Sequence, residues 1–123
     1  MTPPKILLAE DGDAVRAMLQ EALQRDGFEV LTAASVNEAL SCIIGQDVDV
    51  LLMDLHMPRM NGWDAMVKIR AINPEAKIVL LSGGSMQDLP QDLKAKGAMA
   101  VLQKPFENIE LVQLVRRILD KEN

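Results

Sequence analysis

The sequence predicts an α/β domain of the (βα)5 type, a doubly wound parallel sheet of five strands with helices on both faces. Three observations carry this. Five short apolar runs bounded by turn residues recur along the 123-residue chain, and runs of that kind suit strands buried on both faces. Each run is followed, after a short connection, by a segment readable as a helix, which is the alternation that builds a parallel sheet. Polar and charged residues then collect directly after the runs, where open α/β sheets bind their ligands.

The totals fit one domain with a real core: 49% hydrophobic and 25% charged residues. A net charge of −5 argues against general nucleic-acid affinity, which needs a basic surface. The single cysteine, Cys42, sits in a helical apolar pattern and reads as a small buried hydrophobe in a reducing compartment. No segment resembles a signal peptide, and no apolar run approaches the roughly eighteen residues of a membrane span. A cytoplasmic protein is expected, with no membrane partner.

Taken in order, Lys5 to Ala9 reads as the first strand and runs straight into Glu10-Asp11-Gly12-Asp13. Val15, Met18, Leu19, Ala22 and Leu23 form one face of the first helix, which Gly27 ends at a left-handed position. Asp13 is the better cap candidate for that helix, leaving Glu10 and Asp11 available for a metal. Phe28 to Ala33 is the second strand. Ser35-Val-Asn-Glu38 is a capping box for the second helix, with Val36, Ala39, Leu40 and Ile43 on its stripe and Gly45 as terminator.

The third strand begins at Val48 and closes on Asp54, before Pro58 and Asn61-Gly62. Trp63, Met66, Val67 and Ile69 give the third helix an apolar side, and it stops before Asn73-Pro74. Trp63 is expected to pack near the site, so that its fluorescence reports binding there. Met53, Met57, Met60 and Met66 fit either core packing or an adaptable docking surface. Lys77 to Leu81 is the fourth strand and Ser82-Gly83-Gly84-Ser85 its loop. Pro90 belongs near a helix start, placing a short fourth helix at about Pro90 to Lys96. Met99 to Gln103 is the fifth strand, Lys104-Pro105 a forced turn, and Phe106 to Lys121 the final helix, with Arg116, Arg117 and Lys121 near its negative end.

In a parallel sheet the C-terminal strand ends share one side, so Glu10, Asp11, Asp54, Ser82 and Lys104 are predicted to meet. Two carboxylates at about 4 Å repel by roughly 4 kcal/mol at an effective dielectric near 20, and one lysine does not balance three of them. A cation would, and an oxygen-only donor set with room for water suits Mg²⁺. A carboxylate so activated, beside a hydroxyl and an ammonium, is equipped to take up a phosphoryl group as an acyl phosphate. Each residue also has a plainer reading: Asp54 as a helix cap or loop acid, Ser82 as an ordinary turn residue, and a His56 side chain pointing into solvent.

The acidic pair Glu10-Asp11, the stretch Met53-Asp54-Leu-His-Met-Pro58 with Asn61-Gly62, Ser82 and Lys104-Pro105-Phe106 together resemble the receiver domain of two-component response regulators, over essentially the whole chain. The resemblance implies a flavodoxin-like sheet of order 2-1-3-4-5. It implies Asp54 as phosphoacceptor, and Mg²⁺ (or Mn²⁺) held by Glu10, Asp11, Asp54 and the main-chain carbonyl of His56. It implies catalytic and responding roles for Ser82 and Lys104, and a cis peptide at Lys104-Pro105. A sensor histidine kinase or a histidine phosphotransfer protein would supply the phosphoryl group, and a downstream protein would read it. The only chemistry expected of the chain itself is Mg²⁺-dependent self-phosphorylation and self-dephosphorylation at Asp54. Residues 1–123 are expected to be a single receiver domain without an output domain, a monomer or weak homodimer.

The family usually carries Tyr or Phe three residues before its lysine, where this chain has Val101. Readout is therefore expected to use the loop and short helix between Ser82 and Lys96. Two alternatives differ in kind. A pseudo-receiver scaffold tends to lack the acidic triad and lysine that this chain retains. A phosphatase of the haloacid dehalogenase type carries a second Asp two residues after its nucleophile, where this chain has His56, and needs room for a cap domain.

Overall fold

The computed structural model of the chain describes residues 3–55, 62–83 and 98–120. Its strands are β1 (Lys5–Ala9), β2 (Glu29–Ala33), β3 (Val50–Asp54), β4 (Ile78–Ser82) and β5 (Ala98–Gln103). They form one sheet of order β2-β1-β3-β4-β5, every pair parallel. The doubly wound sheet of order 2-1-3-4-5 is thus the observed fold. The described helices are α1 (Asp13–Arg25), α2 (Val36–Gly45), α3 (Gly62–Ile72) and α4 (Asn108–Asp120). The short helix expected at about Pro90 to Lys96 lies outside the described residues.

The two-residue period of a strand divides the central apolar runs between two cores. Leu7 and Ala9 of β1, Leu51 and Met53 of β3, and Ile78 and Leu80 of β4 face one side, where Val36, Ala39 and Ile43 of α2 and Ala65, Met66 and Ile69 of α3 cover them. Ile6 and Leu8, Val50 and Leu52, and Val79 and Leu81 face the other side. Leu19 and Leu23 of α1 and Leu111, Val112, Val115 and Ile118 of α4 close over that one. Met53 and Met66 are therefore core residues; Met57 and Met60 lie outside the described residues. Val101 is half-buried against the first core.

Several element ends differ from the sequence reading for local reasons. Asp13 is not the cap of α1. Gly12 holds that position with no side-chain bond, and Asp13 is the first helical residue, a favourable place for an acid. The apolar stripe of α1 is narrower than predicted, with Leu19 and Leu23 buried but Val15 and Met18 exposed. Phe28 precedes β2 instead of opening it. Gly27 adopts φ +94°, the predicted left-handed turn, and Phe28 is buried with the Arg116 guanidinium 5.0 Å from its ring centre.

At α2, Ser35 Oγ accepts from the Glu38 N–H at 3.2 Å, the first half of the predicted capping box. The return bond falls one residue early, with the Ala34 N–H donating to Glu38 Oε2. Gly45 ends α2 as its last residue, and the chain leaves through an extended Gln46. The final helix starts at Asn108, not Phe106, because Glu107 acts at its head: its carbonyl accepts from Glu110 and Leu111, and its N–H donates to Glu110 Oε1.

Candidate functional site

The site is assembled by strand ends. Glu10 directly follows β1 and is 4% exposed; its N–H donates to the Ala33 carbonyl at the end of β2. Asp11, one residue on, is exposed. Asp54 closes β3 and is also 4% exposed. Beside it, Ser82 closes β4 and is buried, and its carbonyl accepts the Lys104 N–H at 2.6 Å. Lys104 follows β5, and its bond to Pro105 is cis.

Glu10, Asp11 and Asp54 each offer a carboxylate oxygen, and these oxygens lie within 4.8 Å of one another. Lys104 Nζ donates to Asp54 Oδ2 at 3.0 Å and stands 3.5 Å from Glu10 Oε2. Four of the residues singled out in the sequence are thus brought together, and Ser82 lies at the neighbouring strand end. His56 lies outside the described residues.

One ammonium faces three carboxylates, and the protonation states record the imbalance. The Glu10 carboxyl is pushed up to about 7, first by burial, then by its hydrogen bond to Asp54 and by the Asp54 charge, with Lys104 opposing. Burial alone would pull Lys104 down. The hydrogen bond and charge of Asp54, reinforced by Glu10, outweigh it and raise the ammonium above its ordinary value. Glu10 therefore holds or releases a proton near neutrality according to what else occupies the cluster. The donor set fits a small hard cation: it is all oxygen, two carboxylates are preset by burial, and the third faces water.

Two contributors were missed by sequence reasoning. A Cβ at Gly12 would stand 3.3 Å from Glu10 Oε1, so glycine there leaves the buried carboxylate its space. Arg16 Nη1 donates to the Glu10 carbonyl at 2.9 Å. The available signal was the Asp13–Arg16 spacing in the first turn of a helix, which alone reads as an ordinary surface pair.

Fold and site together define a class: a doubly wound α/β domain with an acidic cluster and a lysine at the C-terminal ends of its strands. Comparison with known proteins narrows it. Residues 6–116 match the response regulator receiver domain. The transcriptional regulatory protein CpxR of Klebsiella pneumoniae is 37% identical over 97% of this chain and 50% of its own length. A response regulator receiver domain protein of Clostridium thermocellum superposes with a TM-score of 0.89 at 28% identity, covering 97% of this chain and 96% of that one. The response regulator TrrA of Thermotoga maritima, solved in complex with Mg(2+)-BeF, gives 0.83 at 31% identity, covering 94% and 98%. The chain belongs to the response regulator receiver domain family, whose members serve two-component signalling. It spans about half the length of several curated relatives that it matches. Among the described residues, no helix is long and apolar enough to cross a membrane.

Proposed function

We propose that this chain is a phosphorylation-dependent switch that accepts a phosphoryl group on Asp54 in a Mg²⁺-dependent reaction. The observation that carries the reading is Asp54 itself: a buried carboxylate at a strand end, bonded to Lys104 and within ligand distance of Glu10 and Asp11. In this reading a phosphohistidine on a sensor kinase or phosphotransfer protein is the donor. An Asp54 carboxylate oxygen attacks phosphorus, the P–N bond breaks, and the histidine nitrogen leaves with its electron pair.

Glu10, Asp11, Asp54 and the His56 carbonyl would hold Mg²⁺, with Mn²⁺ as a substitute; the ion, when bound, neutralises charge on the phosphoryl oxygens. Lys104 contributes a second positive charge beside Asp54, and Ser82 a hydroxyl at the neighbouring strand end. Holding Asp54 between them positions the nucleophile, which is most of what phosphoryl transfer asks of a protein. Water attack on phosphorus returns Asp54 and releases phosphate. The output is docking to a downstream protein, and the site of action is the cytoplasm.

Incubation with a small phosphodonor and MgCl2, followed by intact mass, tests this. The wild-type chain gains the mass of one phosphoryl group and Asp54→Ala gains none; an equal gain in both would refute the assignment.

A further inference from the structure

We propose that Arg16 is a positioning residue for the acidic cluster, pinning the strand-end peptide from which Glu10 and Asp11 project. The inference rests on reading that cluster as a Mg²⁺ site. Arg16 lies on the first turn of α1, with its side chain 20% exposed. One guanidinium nitrogen donates to the Glu10 carbonyl at 2.9 Å and another to Asp13 Oδ1 at 2.5 Å.

The consequence follows from what else holds Glu10. Its N–H is already taken by the Ala33 carbonyl at 3.0 Å. With Arg16 on its carbonyl, both peptide groups of Glu10 are fixed, one by the sheet and one by the helix. The carbonyl belongs to the peptide plane that joins Glu10 to Asp11, so its orientation governs where both carboxylates start. On the following side Gly12 keeps the space beside the carboxylate open, since a Cβ there would stand 3.3 Å from Glu10 Oε1. A planar guanidinium with several donors suits this bridging, because it reaches the carbonyl and Asp13 at once. The Asp13 partner, 91% exposed, is worth little as an ion pair; its use is to set the fork's orientation.

Charge alone predicts the opposite of positioning. A guanidinium close to a cation site repels the cation, so removing it would tighten Mg²⁺ binding if Arg16 acted only through its charge. If Arg16 holds the ligands in place, removing it weakens binding despite the relief.

Calorimetric titration of the full chain with MgCl2, at a pH above 7 so that Glu10 is ionised, separates the two. The expected result is a Kd raised about tenfold in Arg16→Ala, the lower range for losing a partner that orients a metal ligand, with Arg16→Lys in between. A Kd unchanged or lowered in Arg16→Ala overturns the proposal, even where its urea midpoint in EDTA falls, because the role is then structural. Should Arg16→Ala not fold, Arg16→Lys decides in the same way by whether its Kd rises. Absence of Mg²⁺ binding by the wild-type chain is a different failure, that of the metal reading itself.

Discussion

The two ends of the sheet are made from the same strands and treat charge in opposite ways. At the N-terminal ends, Asp49 is exposed and its Oδ2 accepts the Lys5 N–H at 2.7 Å, while Lys5 Nζ reaches Gln46 Oε1 at 3.3 Å. Val48, Asn73, Glu75 and Lys77 line the same shallow, polar surface. Charges there stay in water. At the C-terminal ends, Glu10 and Asp54 are almost fully buried, with Lys104 and an exposed Asp11 for company. The difference teaches where this molecule departs from its own stability. A solvated carboxylate at a strand end costs little, whereas two buried ones beside a single ammonium remain incompletely compensated.

The contrast can be broken most severely from beneath. Leu52 is fully buried in β3, two residues before Asp54, so Leu52→Ala should cost about 2 to 5 kcal/mol in urea unfolding. Loss of less than the Ile→Val range, about 1 kcal/mol, would mean the sheet does not carry the site as described. A smaller effect is expected from pH, acting on one end only. The Glu10 carboxyl is raised from 4.5 to about 7 in the folded chain, so the folded state binds the extra proton. Its stabilising contribution is complete below 4.5 and disappears as pH rises through about 7. Metal-free stability should therefore fall by about 2 to 3 kcal/mol across that window, at 1.36 kcal/mol per pKa unit. Excess MgCl2 should flatten the decline, because the ion binds the ionised form. Urea midpoints on either side of the window, in EDTA and in MgCl2, check the sign, and a metal-free stability that rises with pH would contradict it.

Neutralising one buried acid by substitution should stabilise the metal-free chain as protonation of Glu10 does, but less. Asp54→Asn, which removes one carboxylate from the cluster while leaving Lys104 paired with Glu10, should raise metal-free stability above pH 7 by about 1 kcal/mol. Asp49→Asn, at the other end, should change it by no more than about 0.5 kcal/mol, the usual range for a surface substitution. Equal effects at the two ends would remove the asymmetry.

Sequence reasoning reached the sheet because its strands are unbroken apolar runs: Ile6-Leu7-Leu8, Val50 to Met53 and Ile78 to Leu81 have no other economical placement. It reached the cluster because strand ends in a parallel sheet meet by topology, which needs no knowledge of side-chain geometry. It could not tell which of Glu10 and Asp11 would be buried. Neighbouring residues at a strand end diverge, and the answer depends on how the chain passes from β1 into α1. It also placed Asp13 at the cap and passed over Arg16. The bond from Arg16 to the Glu10 carbonyl belongs to a helix α1 that begins one residue earlier than a capping Asp13 would have started it. Val15 and Met18 follow helical periodicity, yet periodicity does not say how wide a stripe the sheet covers.

The central claim is that the buried end of this sheet takes a phosphoryl group on Asp54. It is tested most directly by reducing the phosphodonor-treated chain with borohydride, which converts an aspartyl acyl phosphate to homoserine, and then mapping the peptides. The account predicts homoserine at position 54 alone, dependent on MgCl2. Homoserine at Asp11, or none in a sample whose intact mass has gained a phosphoryl group, would contradict it.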